Sequence, residues 1–233
     1  MLNLIQQYPF FLAFILGLIP ALIWLWFWLK EDIHPEPAKM ITLSFIGGMV
    51  AVILVLPLQQ LIYDYVKTDE YTPFLLWATL EELFKFLMVY FIALSRRVTD
   101  EPVDTIIYMI VSALGFVALE NTFFLIDQIH AGDLFGIIVT GNMRFIGASL
   151  LHIISSGTIG IFMAISFYKN QIQKNIYLVF GIVLAIALHT SFNISIMKIS
   201  ENNIFLTFGF VWIGIIALLI IFEKIKHLKA RNI

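Results

Sequence analysis

The chain has 233 residues, 61% hydrophobic and 13% charged, with a formal net charge of −2 and no cysteine. Soluble domains run roughly 45–50% apolar and about 25% charged. This composition, with a mean hydropathy of +0.94, exceeds what one soluble core can hide and reads as a polytopic membrane protein. The absence of cysteine excludes disulfides, Cys-ligated zinc, iron–sulfur clusters and a thiol nucleophile, and the lack of a basic run before the tail argues against a nucleic-acid partner.

A span needs about 20 apolar residues. In chain order the predicted spans are 8–29, 40–63, 73–95, 103–128, 144–168, 175–198 and 203–223. The first has no basic segment before it and reads as a retained span, not a cleaved signal peptide. Pro20 and Pro57 are placed near span ends, and the stretch from Gly132 to Met143 reads as a loop or interfacial turn, too short to cross. Connections are short, so residues 1–233 are expected to form a single integral-membrane domain. The predicted fold is an all-α bundle of about seven transmembrane helices.

Direction follows from lysine and arginine. One set of loops, with the C-terminus, holds Lys30, Lys39, Arg96, Arg97, Lys169, Lys174, Lys224, Lys226, Lys229 and Arg231, while the other side holds only Lys67, Arg144 and Lys198. The bias predicts the N-terminus outside, the C-terminus in the cytoplasm and a multi-pass protein of the cell membrane. Trp24, Trp26 and Trp28, near the cytoplasmic end of the first span, are expected to form part of an aromatic belt.

The informative residues are polar ones inside the spans. Glu81 and Glu82 lie side by side in the third, about 12–14 Å below its outer end at helical rise. A carboxylate near a bilayer centre costs on the order of 3 kcal/mol, and such groups are usually functional. Glu120 in the fourth span, His152 in the fifth, and His189 with Asn193 in the sixth fall at similar depth. Facing helices build sites from such inward-projecting groups. His189 and Asn193 are four apart and share a face, as are His152 and Ser156, and Glu81 and Lys85. Glu81 and Glu82 point about 100° apart, so one is expected to face a cavity and the other to pair with Lys85 or a neighbouring helix.

Two imidazoles and up to three carboxylates suit zinc or another divalent metal bound by three protein ligands and a water. They equally suit metal-free hydrolysis, with a glutamate base and His and Asn donors to an oxyanion. Each residue also has a structural reading. Asn121 beside Glu120 suits helix–helix hydrogen bonding, His152 sits in a small-residue packing face, Lys85 reads as a counter-ion, Asp104 as a first-turn acid, and Arg144 as an outer-interface anchor. Gly47, Gly48 and Gly115 read as close-packing positions. A proton- or ion-coupled transporter is the main alternative, because carriers use buried carboxylates and histidines too, and an inactive binding scaffold is a second.

Glu81-Glu82-Leu-Phe-Lys85 resembles the EExxK motif of the PrsW family of intramembrane proteases. Glu101-Pro-Val-Asp104-Thr-Ile-Ile-Tyr108, followed by Phe116-Val-Ala-Leu-Glu120-Asn121, resembles its second signature, with Thr105 where glycine is usual. Asp32-Ile-His-Pro-Glu36-Pro37 resembles its short acidic, proline-containing loop, and His189-Thr-Ser-Phe-Asn193 its HxxxN element. The family is distantly similar to CAAX prenyl endopeptidases and Abi proteins. In those, Phe116 and Glu120 would correspond to Phe and His, so His152 is the candidate for the missing imidazole. The resemblance implies cleavage of a membrane-bound protein substrate, in the best-known branch an anti-sigma factor cut on its outer side. It implies Glu81, Glu82, Glu120, His189 and Asn193 as catalytic residues, with Glu82, Glu120, His152 and His189 as ligands if a metal is bound.

Overall fold

The computed structural model describes residues 9–198 and 204–228, which form helices and short connections with no strand among them. The helices are α1 (Pro9–Glu31), α2 (Ala38–Tyr65), α3 (Thr72–Val89, extended by a π turn Tyr90–Leu94), α4 (Pro102–His130), α5, α6 (Gln171–Lys198) and α7 (Ile204–Ile225). α5 is one continuous helix assembled from Leu134–Met143, a π turn Arg144–Ala148 and Ser149–Ile165. Six of these helices are long and apolar enough to cross a membrane. The other, α3, carries Glu81, Glu82 and Lys85 in its 18 residues. The described residues thus form an all-α polytopic bundle of seven helices. The expected first residue of span one, the start of span seven, and Lys229 and Arg231 lie outside the described residues.

α4 is the central mast. Its residues from Pro102 to Leu119 are all buried, and α1, α2 and α5 pack along it. A helix covered on every side needs no amphipathic stripe. Its start is fixed locally, because Pro102 occupies the first turn and Asp104 Oδ2 accepts the backbone N–H groups of Asp100 (2.8 Å) and Glu101 (2.7 Å). α2 approaches α4 through two glycines: a Cβ on Gly48 would strike the carbonyl of Ser112, and one on Gly115 the carbonyl of Phe45. Close backbone approach through small residues is how membrane helices gain packing without a hydrophobic drive between them.

Three expectations change. The Gly132–Met143 stretch is not a loop: Gly132 turns the chain at φ 69°, Asp133 Oδ1 accepts the N–H of Gly136 at 2.8 Å, and a helix starts at Leu134. Asp133 is an N-cap, and the short apolar stretch is the opening of α5, not a separate crossing. Pro20 and Pro57 lie inside α1 and α2, where each removes one backbone hydrogen bond. The three tryptophans do not share a belt. Trp26 is 65% exposed, whereas Trp28 is buried with its ring edge-on to Phe222 at 5.5 Å.

Candidate active site

α3 is positioned by a polar turn at its head. Asp69 accepts the N–H groups of Tyr71 (2.7 Å) and Thr72 (2.8 Å), and Pro73 sits in the first turn. Glu81 and Glu82 then diverge around the helix, as their 100° offset requires. Glu82 is fully buried. Its Oε1 lies 2.5 Å from Lys85 Nζ and 2.8 Å from His189 Nδ1, and its Oε2 accepts from Ser156 Oγ at 2.7 Å. Glu81 faces the other way: Oε1 accepts from Gln59 Nε2 at 2.8 Å, and Oε2 stands 3.5 Å from His189 Nε2. Lys85 therefore pairs with Glu82 three residues before it, not with Glu81.

Glu120 on α4 is held by α5. Its Oε2 accepts from an Arg144 guanidinium N–H and stands 3.2 Å from His152 Nε2. Arg144 Nε also donates to Asn121 at 2.5 Å, and its guanidinium lies over the Phe124 ring at 3.8 Å. Eight residues separate Arg144 from His152. In an unbroken α-helix that spacing leaves them roughly 80° apart. The π turn Arg144–Ala148 adds a residue without adding a turn. Eight residues then behave like about seven, and both side chains reach one carboxylate.

These groups line a cavity of about 440 Å³. Gln59, Glu81, Glu120, Arg144, His152, His189 and Asn193 supply its polar wall, and Phe74, Trp77, Phe116, Phe123 and Phe124 much of its apolar one. Glu82 is not in the wall; it stands behind His189. Of the residues expected from sequence, Glu82, Glu120, His152 and His189 form one hydrogen-bonded cluster joined through Lys85, Glu81 stands 3.5 Å from His189 at its edge, and Asn193 joins them only as cavity lining.

Sequence reasoning missed Gln59 and misplaced Arg144. Trp77 Nε1 donates to the Gln59 carbonyl at 3.2 Å, which ties α2 to α3 beside Glu81. A glutamine in an apolar run was the available signal. Arg144 is not an interface anchor: its side chain is 15% exposed and paired with Glu120. It reads as a loop residue only while the helix is thought to begin there. Ser156, four residues after His152 on the same face, donates to Glu82.

The donor set also bears on metal binding. Glu81, His152 and His189 are all buried and offer one ligand atom each, all within 4.8 Å of one another. Glu81 Oε2 is shut from solvent with no hydrogen-bond partner, an arrangement that costs free energy unless something occupies it. The pairing of His189 Nδ1 with Glu82 leaves Nε2 for the cavity, the carboxylate–histidine pattern found behind metal ligands. His152 fits less directly. The Lys85 ammonium can only donate, so at 2.9 Å from Lys85 Nζ Nδ1 is the acceptor and the ring proton sits on Nε2, toward Glu120. In group count, three carboxyl groups (Glu81, Glu82, Glu120) face one lysine and one arginine (Lys85, Arg144), so the acids outnumber the strong bases. On donor chemistry a divalent metal such as zinc fits here.

A profile of PrsW family intramembrane metalloproteases matches residues 36–222. The chain is 27% identical over 169 residues to the protease PrsW of Geobacillus kaustophilus, covering 70% of each chain. It is 28% identical over 216 residues to that of Oceanobacillus iheyensis, covering 87% of this chain and 91% of the other. A third relative, from Bacillus subtilis, is 31% identical over 118 residues, 48% of this chain and 53% of its own. No solved structure matches the chain significantly. With a cavity of buried acids and imidazoles inside a seven-helix bundle, and a family match spanning most of its length, the chain belongs to the PrsW family and is an intramembrane protease.

Proposed function

We propose that this protease hydrolyses a peptide bond of a membrane-bound protein at the cavity between α3, α4, α5 and α6, with Glu81 as the base that activates water. The observation that carries this is Glu81 Oε2, buried and meeting no donor, 3.5 Å from His189 Nε2. A buried carboxylate oxygen with a free lone pair beside a cavity is what a general base requires. Glu81 takes a proton from water, whose oxygen attacks the scissile carbonyl carbon. Negative charge gathers on the carbonyl oxygen, where the Asn193 side-chain amide in the cavity wall is the available donor. When the C–N bond breaks, the leaving nitrogen takes the proton back from Glu81.

The surrounding groups orient His189, Glu81 and Glu120. Glu82 holds His189, Gln59 holds the other oxygen of Glu81, and Arg144 with His152 holds Glu120. Glu81, His152 and His189 are the residues that would hold a divalent metal, with Glu120 beside them. Such an ion would supply Lewis acidity and a water of lowered pKa. Glu82, expected from sequence as a ligand, is proposed instead as the group behind His189.

The substrate proposed is a single-span membrane protein of the anti-sigma kind, cut toward the lysine- and arginine-poor face. The aromatic cavity wall suits an extended apolar segment. The test is cleavage of a candidate single-span substrate by the purified protein in liposomes, with Glu81→Gln, Glu120→Ala and His189→Ala each expected to stop it. Cleavage that survives all three substitutions overturns the assignment.

A further inference from the structure

A second cavity lies along α5, away from the buried acids. α6 and α7 both pack on α5 but hardly on each other. α5 is therefore the floor, and α6 and α7 the walls, of a furrow of about 250 Å³. Leu151, Ile154 and Ile161 line the floor and Leu188 the α6 wall. On the α7 wall stand Ile213, Ala217 and Ile221, and Ile213 is 68% exposed, so the furrow opens to the lipid. Among the described residues lining it none is charged. Thr158 is the one polar side chain there, and its hydroxyl donates to the Ile154 carbonyl at 2.7 Å.

This furrow is continuous with the cavity of acids and imidazoles. Leu151, itself buried, lines both, so its side chain stands between them. Leu151 and Leu188 also directly precede His152 and His189 in the chain. The floor runs in a particular direction from there. From Leu151 to Ile161, α5 covers about 15 Å at helical rise, away from the cavity and toward the end of the bundle that carries Lys169 and Lys174. A single-span protein cut near its outer end must extend from the scissile bond in that same direction.

We infer that the membrane-spanning helix of the substrate docks in the furrow between α6 and α7, and that its outer end passes Leu151 into the cavity. This rests on the cavity being the site of proteolysis. The docked helix lays one row of apolar side chains into the furrow. Van der Waals packing of this kind drives helix association in lipid, and the small side chain of Ala217 leaves room for it. With its lone hydroxyl already bonded, the furrow offers the helix no polar partner. It therefore selects an apolar span by shape and not by sequence.

The experiment is disulfide crosslinking in liposomes, using the full-length Glu81→Gln protein, which has no cysteine of its own. The probe is a single-span peptide with a leucine–alanine core of about 20 residues and one cysteine, placed either near its outer end or near its inner end. Ile213→Cys is expected to capture the outer cysteine and Ile221→Cys the inner one. Ile53→Cys, on α2, is 56% exposed and outside both cavities, and should capture neither. Ala217→Trp, at an exposed furrow position, should lower the crosslink about tenfold or more with the Tm unchanged. In the Glu81 protein it should lower cleavage of a single-span substrate as much. Ile216→Trp, exposed on the same helix but outside the furrow, should alter neither. Equal yields from Ile213→Cys and Ile53→Cys overturn the proposal, and so do disulfides formed only between two copies of the protease. Crosslinks of the expected pattern in a protein that cleaves nothing uphold the furrow and refute the catalytic reading instead.

Discussion

Glu82 Oε1 and His189 Nδ1 are 2.8 Å apart, although 107 residues separate them in sequence. The contact orients the imidazole so that its second nitrogen meets the cavity, and on the proposed mechanism it makes Glu82 the supporting glutamate and Glu81 the reacting one. Glu82→Gln keeps the shape but loses the charge that orients His189, and is expected to reduce cleavage by about 10- to 100-fold. Glu81→Gln removes the proposed base and is expected to cost about 100- to 10,000-fold. Turnover of one substrate by both variants checks the ordering; equal losses would place both glutamates at the reacting atoms.

Arg144 and Glu120 are 15% and 20% exposed, so removing one partner strands the other in a poorly hydrated place. Arg144→Gln is expected to destabilise the protein by about 3 kcal/mol, with part of that loss recovered in the double variant Arg144→Gln/Glu120→Gln. Thermal unfolding of the wild type, both single variants and the double variant forms the cycle that measures the coupling. Additive effects would mean that the ion pair contributes nothing.

Gln59→Leu keeps the bulk but withdraws the donor from Glu81 Oε1. Cleavage should fall about tenfold while the melting temperature changes little. A full loss of activity with an unchanged Tm would instead make Gln59 a direct participant.

Helix propensity favours alanine over glycine by about 1 kcal/mol, and packing decides whether that gain is realised. A Cβ at Gly115 meets the Phe45 backbone, whereas one at Gly209 meets nothing within 4 Å. Gly209→Ala should leave stability equal or raised, and Gly115→Ala should lower it by roughly 1–3 kcal/mol. Denaturation of the two variants side by side gives the sign of each.

The chain's lack of cysteine makes its orientation directly measurable. Thr68→Cys, in the connection between α2 and α3, should react with a membrane-impermeant thiol reagent in intact cells. Arg97→Cys, before α4, should react only after permeabilisation. The reverse pattern would invert the lysine and arginine argument.

Composition alone forces a membrane bundle, because 61% hydrophobic residues have nowhere else to go. Uncompensated charge is costly in lipid, so Glu81, Glu82, Glu120, His152 and His189 announced themselves by type and depth. Those are one-dimensional properties, and the sequence determines them without help. Which glutamate faces the cavity, that Lys85 serves Glu82, and that Arg144 reaches Glu120 are consequences of rotation about helix axes. A single π turn changes that rotation by the width of one residue, and hydropathy does not register it. Gln59 stood out only as a polar residue in an apolar run; its role comes from the helix opposite, which only the packed structure supplies.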